Sequence, residues 1–130
     1  MDEAPKPRIL VVDDDPVILR LLQVNFRLEG YDVITASRGD EAIRIAREQA
    51  PEVIVLDVMM PGIDGYEVCR ALKEDPTTAA APVIFLSARA QDADRDQGYA
   101  LGVVAYVTKP FDPAQLVDVV RRALIDAEPG

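Results

Sequence analysis

Five short apolar runs recur along the chain, each followed by a stretch with helical spacing. Runs this short, continuous and rich in β-branched residues read as strands buried on both faces, as in a parallel sheet. They fall at Arg8–Val12, Asp32–Ala36, 53–56, 82–86 and 103–108. Four of the five stop abruptly on polar residues: Asp13-Asp14, Asp57, Ser87 and Lys109. The central run, Val53-Ile54-Val55-Leu56, gives way to Asp57 and then to the turn residues Pro61-Gly62 and Asp64-Gly65.

The intervening stretches predict five helices. Asp15 suits the cap of the first and Pro16 its first position. Its apolar face is expected to comprise Val17, Leu21, Val24 and Leu28, with Ile18 and Leu22 beside them, and Gly30 stops it. The second starts within residues 37–40, turns Ala42, Ile43 and Ala46 inward, and ends at Ala50-Pro51. Asp64 and Glu67 have capping-box spacing ahead of the third, whose inward positions include Tyr66, Cys69 and Leu72. The fourth is expected over 91–101, although Gly98 interrupts it and few of its positions are apolar. Asp112 caps the fifth, Pro113 opens it, and Leu116, Val117, Val120 and Leu124 line its buried side. Strands alternating with helices predict an α/β fold with right-handed crossovers.

Composition narrows the function. The 130 residues suit one domain, expected over 8–126, with a flexible arm at 1–7 and a tail at 127–130. A hydrophobic fraction of 49% supports a real core. The net charge of −9 disfavours nucleic acid as a direct partner, since phosphate backbones are held by Lys and Arg. The chain has no histidine, so any imidazole in its chemistry must come from a partner. The one cysteine, Cys69, forms no internal disulfide and is compatible with a reducing cytoplasm, the expected location. No segment has the apolar length of a membrane helix, and the acidic, Pro-containing N-terminus lacks a signal-peptide pattern.

In a parallel sheet the four polar strand ends lie on one edge, where ligands enter. Three carboxylates would repel each other there unless positive charge compensates. Lys109 offers one charge and a divalent cation two more. Hard oxygen donors with open positions favour Mg²⁺, which binds through one or two carboxylates plus a phosphate. Such a site neutralises an incoming phosphoryl group, and an aspartate can accept it as an acyl phosphate.

These residues resemble the receiver domain of bacterial two-component response regulators. The resemblance rests on Val11-Val12-Asp13-Asp14-Asp15, Leu56-Asp57-Val58-Met59-Met60-Pro61-Gly62, Asp64-Gly65, Phe85-Leu86-Ser87-Ala88 and Tyr106-Val107-Thr108-Lys109-Pro110-Phe111, spread over the whole chain. It implies a doubly wound five-stranded parallel sheet of order 2-1-3-4-5 flanked by five helices. Asp57 would be the phosphoacceptor. Asp14 and Asp57, with the Met59 carbonyl, would bind Mg²⁺ directly, and Asp13 mostly through water. Lys109, the Ser87 hydroxyl and the backbone N–H groups of Val58 and Ala88 would hold the phosphoryl oxygens. The Lys109-Pro110 bond would be cis. Ser87 and Tyr106 would form a switch pair, read out through the fourth helix, fifth strand and fifth helix. The donor would be a histidine kinase or histidine phosphotransfer protein, and the recipient a downstream protein or output domain.

Members that dimerise through that face to bind DNA carry charged pairs where this chain has Val103-Val104-Ala105-Tyr106 and Pro113-Ala114-Gln115-Leu116. Most of those charges are absent here, which speaks against a charge-paired dimer and leaves a more apolar surface on the fourth helix, fifth strand and fifth helix, for a homodimer of another kind or a different partner. Met59 and Arg89 occupy positions that tune acyl-phosphate hydrolysis in the family, and their bulk implies a long-lived phosphorylated state. An Asp-nucleophile phosphatase would show a second Asp at Met59. A nucleotide or flavin binder would need a Gly- or hydroxyl-rich first loop. The main alternative is a phosphorylation-independent receiver-like interaction module.

Overall fold

The computed structural model describes residues 6–127. The elements run β1 (Arg8–Val12), α1 (Pro16–Leu28), β2 (Asp32–Ala36), α2 (Gly39–Gln49), β3 (Val53–Asp57), α3 (Gly65–Glu74), β4 (Val83–Ser87), α4 (Asp92–Ala100), β5 (Ala105–Thr108) and α5 (Pro113–Ala127). The strands form one parallel sheet in the order β2-β1-β3-β4-β5, the expected doubly wound topology. Most of the arm expected at 1–7 and of the tail expected at 127–130 lies outside the described residues. Pro7 is already tied to the sheet, its carbonyl accepting the Asp32 N–H at 2.9 Å, and Ala127 closes α5.

Alternation along the strands splits the core in two. Ile9, Val11, Val55, Ile84 and Leu86 face α1 and α5, packing with Leu22, Phe26, Leu116 and Val120. Leu10, Val12, Ile54, Leu56 and Phe85 face the other way, packing with Ala42, Ala46, Val68, Cys69 and Leu72. Every residue of β3 and β4 is buried, which explains their uninterrupted apolar runs.

The caps behave as their sequences imply. Asp15 Oδ1 accepts the Val17 N–H at 2.9 Å, and Asp112 Oδ1 accepts the Ala114 N–H at 2.9 Å. At α3 the box is reciprocal: Asp64 Oδ1 accepts the Glu67 N–H at 2.9 Å, and Glu67 Oε1 accepts the Asp64 N–H at 3.4 Å.

The expected face of α1 is correct at Leu22 and Ile18 but not in its main stripe. Val17 and Leu28 are 72% and 79% exposed, and Leu21 and Val24 are exposed too. The buried face is Leu22 and Phe26, with Ile18 and Leu19 partly covered. Both stripes are apolar at helical spacing, so periodicity alone could not choose between them. The volume of Phe26 decides: burying it and Leu22 gains about 2–3 kcal/mol each, and Phe26 fills the space beside Tyr31 at a centroid distance of 6.3 Å. β5 is shorter than expected, beginning at Ala105, although the Val104 N–H already reaches the Val83 carbonyl at 2.9 Å.

Candidate functional site

The register sets the ends of β1, β3, β4 and β5 side by side, with Val12 beside Leu56, Asp57 beside Leu86 and Ser87 beside Thr108. The residues just beyond or at these ends therefore converge. Oxygens of Asp13, Asp14 and Asp57 lie within 4.8 Å of one another. Lys109 Nζ donates to Asp13 Oδ2 at 2.9 Å and pairs with Asp57 Oδ1 at 3.5 Å. Asp13 and Ser87 are fully buried, Asp57 is 2% exposed, and Asp14 is open to solvent. The Lys109-Pro110 peptide is cis.

Local structure holds each carboxylate in place. Asp13 Oδ1 accepts the Asp15 N–H at 2.9 Å, so both of its oxygens are engaged. Asp57 Oδ1 accepts the Met59 N–H at 3.2 Å. Gly65 allows α3 to start against the acceptor strand: a Cβ there would stand 2.6 Å from both the Asp57 carbonyl oxygen and the Val58 Cα. The Gly65 N–H donates to the Val58 carbonyl at 2.8 Å across that gap.

The charges are out of balance. Burial, followed by the negative charge of Asp13, pushes the Asp57 carboxyl from its ordinary 3.8 up to about 7. Lys109 and the Met59 N–H pull the other way, and Asp14 adds to the rise. At Lys109, burial favours the neutral amine. The hydrogen bond and charge of Asp13, joined by Asp57, outweigh it and raise the ammonium above its usual range. Three carboxylates against one ammonium suit a hard divalent cation, for which Asp13, Asp14 and Asp57 offer the oxygens.

The Val58 N–H is engaged in the sheet. It donates to the Leu86 carbonyl at 3.2 Å; the Met59 N–H is the one aimed at the Asp57 carboxylate. This follows from Val58 continuing the extended path of β3. Ala88 is exposed just beyond β4, and Ser87 Oγ accepts the N–H of Arg89 at 3.0 Å. Tyr106 is turned inward and 6% exposed. Its hydroxyl donates to the Arg89 carbonyl at 2.9 Å, its ring meets Phe85 edge-on, and the Arg95 guanidinium lies 5.5 Å from its centroid.

Sequence reasoning did not single out Tyr66 beyond its core position, or the structural part played by Arg89. Both line a cleft of about 410 Å³ beside Val58 and Met59. The Tyr66 hydroxyl is buried without a hydrogen-bond partner among the described residues. Its spacing from Cys69 and Leu72 announced burial, but nothing in the sequence announced an orphaned hydroxyl. Another cavity, of about 340 Å³, opens at the opposite edge between Ala46, Ile54, Thr78 and Leu124, away from the charged cluster.

Fold and site together define a doubly wound parallel α/β domain with carboxylates, a hydroxyl and an ammonium gathered at its carboxyl edge. The chain belongs to the response regulator receiver domain family, whose model matches residues 9–121. It is thus a receiver domain of two-component signalling, from a family of switches rather than metabolic enzymes. It is 41% identical over 123 residues to the phosphate regulon transcriptional regulatory protein PhoB of Rhizobium meliloti, covering 95% of this chain and 54% of that protein. It is 44% identical over 124 residues to the alkaline phosphatase synthesis transcriptional regulatory protein PhoP of Bacillus subtilis, covering 92% and 51%. The solved chemotaxis protein CheY4 of Vibrio cholerae is similar at a TM-score of 0.88 and 29% identity, over 92% of this chain and 100% of that one. The chain spans about half the length of the transcriptional regulators it matches. Among the described residues no helix is long and apolar enough to cross a membrane.

Proposed function

We propose that Asp57 accepts a phosphoryl group from a phosphohistidine on a partner kinase or histidine phosphotransfer protein. The observation that carries this reading is the convergence of Lys109, Asp13 and Asp14 on a nearly buried Asp57. Asp57 Oδ1 is engaged by Lys109 and the Met59 N–H, which leaves Oδ2 to attack phosphorus. The new O–P bond forms as the P–N bond breaks, and the departing imidazole retains the bonding pair and takes up a proton. Lys109, the Ser87 hydroxyl and the Ala88 N–H would hold the transferred oxygens, together with the Val58 N–H, which donates to the Leu86 carbonyl in this structure. Asp13, Asp14 and Asp57, with the Met59 carbonyl, would hold Mg²⁺. That ion would supply positive charge that favours the ionised acceptor and neutralises the phosphoryl oxygens.

The donor docks over α1. Its exposed stripe of Val17, Leu21, Val24 and Leu28 begins directly after the acidic loop, so a helix presenting a phosphohistidine to Asp57 also covers it. The signal leaves through α4, β5 and α5, where Tyr99, Ile125 and, just ahead of β5, Val104 are exposed. PhoB and PhoP are named as transcriptional regulators and are about twice as long. With a charge of −9, this chain leaves any DNA contact to an output domain or downstream protein. We propose a cytoplasmic location for the chain. Met59 and Arg89 line the cleft next to Val58, and we propose that their bulk shields the phosphoryl group from water. Replacing both with small residues should shorten the acyl-phosphate lifetime, and an unchanged decay rate would refute shielding.

The test is intact mass after incubation with acetyl phosphate, with and without Mg²⁺, for the native chain and Asp57→Asn. One Mg²⁺-dependent adduct, absent in the variant, is expected. An unmodified chain that also fails to bind Mg²⁺ would overturn the reading in favour of a phosphorylation-independent module.

A further inference from the structure

Arg89 is joined to three different parts of the molecule. Its N–H donates to the Ser87 hydroxyl oxygen at 3.0 Å, and its carbonyl accepts the Tyr106 hydroxyl at 2.9 Å. Its guanidinium stands 4.0 Å from Asp94 Oδ1. The other Asp94 oxygen accepts the Gln91 N–H at 3.2 Å, fastening the first turn of α4. Arg89 also lines the cleft that contains Val58 and Met59, the two residues that follow the acceptor in the chain. Arg89 therefore borders both the place where negative charge would arrive and the helix expected to report it.

We propose that the Arg89 guanidinium is an exchangeable tether: it pairs with Asp94 in the resting chain and moves to the phosphoryl group on Asp57, releasing the first turn of α4. The inference rests on the phosphoacceptor reading of Asp57. Three physical facts support the exchange. The Arg89–Asp94 pair is long, with Arg89 half exposed, and such pairs contribute little. A phosphoryl group carries more charge than a carboxylate and matches the planar fork of Arg. Finally, α4 is poorly anchored by apolar burial, since Gly98 is its one buried residue. Loss of a modest polar tie therefore acts on an element with little else to hold it.

Amide hydrogen exchange over residues 92–95 tests the tether, with beryllium fluoride and Mg²⁺ as the phosphoryl mimic. In the native chain the adduct should speed exchange there by roughly two- to five-fold, the range expected for loss of one exposed ion pair. Arg89→Met and Asp94→Asn should show the faster exchange before any adduct forms and little further change after it. Arg89→Lys, which keeps the charge, should recover part of the response. Equal acceleration in native and Arg89→Met chains would overturn the tether. Intact mass with acetyl phosphate, measured on the same preparations, separates this result from failure of Asp57 as acceptor: without a native adduct the acceptor reading fails first.

Discussion

Asp57 is a destabilised carboxylate, and replacing it should strengthen the fold. Burial, followed by the charge of Asp13, holds its carboxyl up at about 7 in the folded chain without a metal ion, against an ordinary 3.8. A raised folded value means that the native state binds the proton more tightly than the unfolded chain. The penalty is absent below the unfolded value, grows as pH rises through this window, and is complete above the folded value. That rise corresponds to about 4 kcal/mol as an upper bound. Asp57→Asn removes the charge and keeps the shape. Urea unfolding with chelator present should show the variant more stable by up to about 4 kcal/mol near pH 8, and by roughly 2 kcal/mol or less near pH 5. Mg²⁺ should narrow the gap, because it binds the native carboxylates and stabilises the native chain more. A gap that does not change with pH, or a variant less stable than the native chain at about pH 8, would refute the reasoning.

Lys109→Met should cost about 2–4 kcal/mol in metal-free urea unfolding, because it leaves the fully buried Asp13 without its cation, and Mg²⁺ should restore part of the loss. The raised Lys109 value keeps its stabilisation in place throughout the neutral range and loses it only in strong alkali, so pH dependence between about 5 and 8 belongs to Asp57. Leu22→Ala should destabilise by about 2–5 kcal/mol and Leu28→Ala by no more than about 0.5 kcal/mol; equal losses by calorimetry would contradict the orientation of α1. Tyr66→Phe removes a buried hydroxyl that has no partner among the described residues, and thermal unfolding should show it neutral or stabilised by about 1 kcal/mol.

The sheet was legible because its signals are local. A run buried on both faces is apolar at every position, so β3 and β4 could be read without knowing their neighbours. The caps at Asp15, Asp64 and Asp112 were equally local. The gathering of Asp13, Asp14, Asp57 and Lys109 followed from parallel topology alone. What escaped were choices made in three dimensions. α1 is apolar on two sides, and only the sheet and α5 determine which one is covered. Which amide meets Asp57 depends on how far the β4 ladder captures the backbone after β3, and the ladder takes Val58. The threefold attachment of Arg89 ties a loop residue to Ser87 and Tyr106 on two strands and to Asp94 on a helix, with no periodicity to reveal it.

The element the sequence describes least clearly, α4, is also the one best placed to carry a signal. Its few apolar positions are a physical property of the folded chain and follow through to its attachment. α3 is locked down by Tyr66, Val68, Cys69 and Leu72, a large apolar area that one new charge cannot displace. α4 instead rests on close contact at Gly98, where a Cβ would lie 3.0 Å from Phe85 and 3.1 Å from Tyr106, and on polar ties through Asp94 and Arg95. Polar ties can be exchanged by a new charge, whereas apolar burial is indifferent to it. A phosphoryl group on Asp57 would therefore leave the sheet and α3 in place and act on α4, through Arg89 and the ring of Tyr106 beside it. A larger apolar face on α4 would make the domain more stable and less able to respond, the trade expected of elements that move.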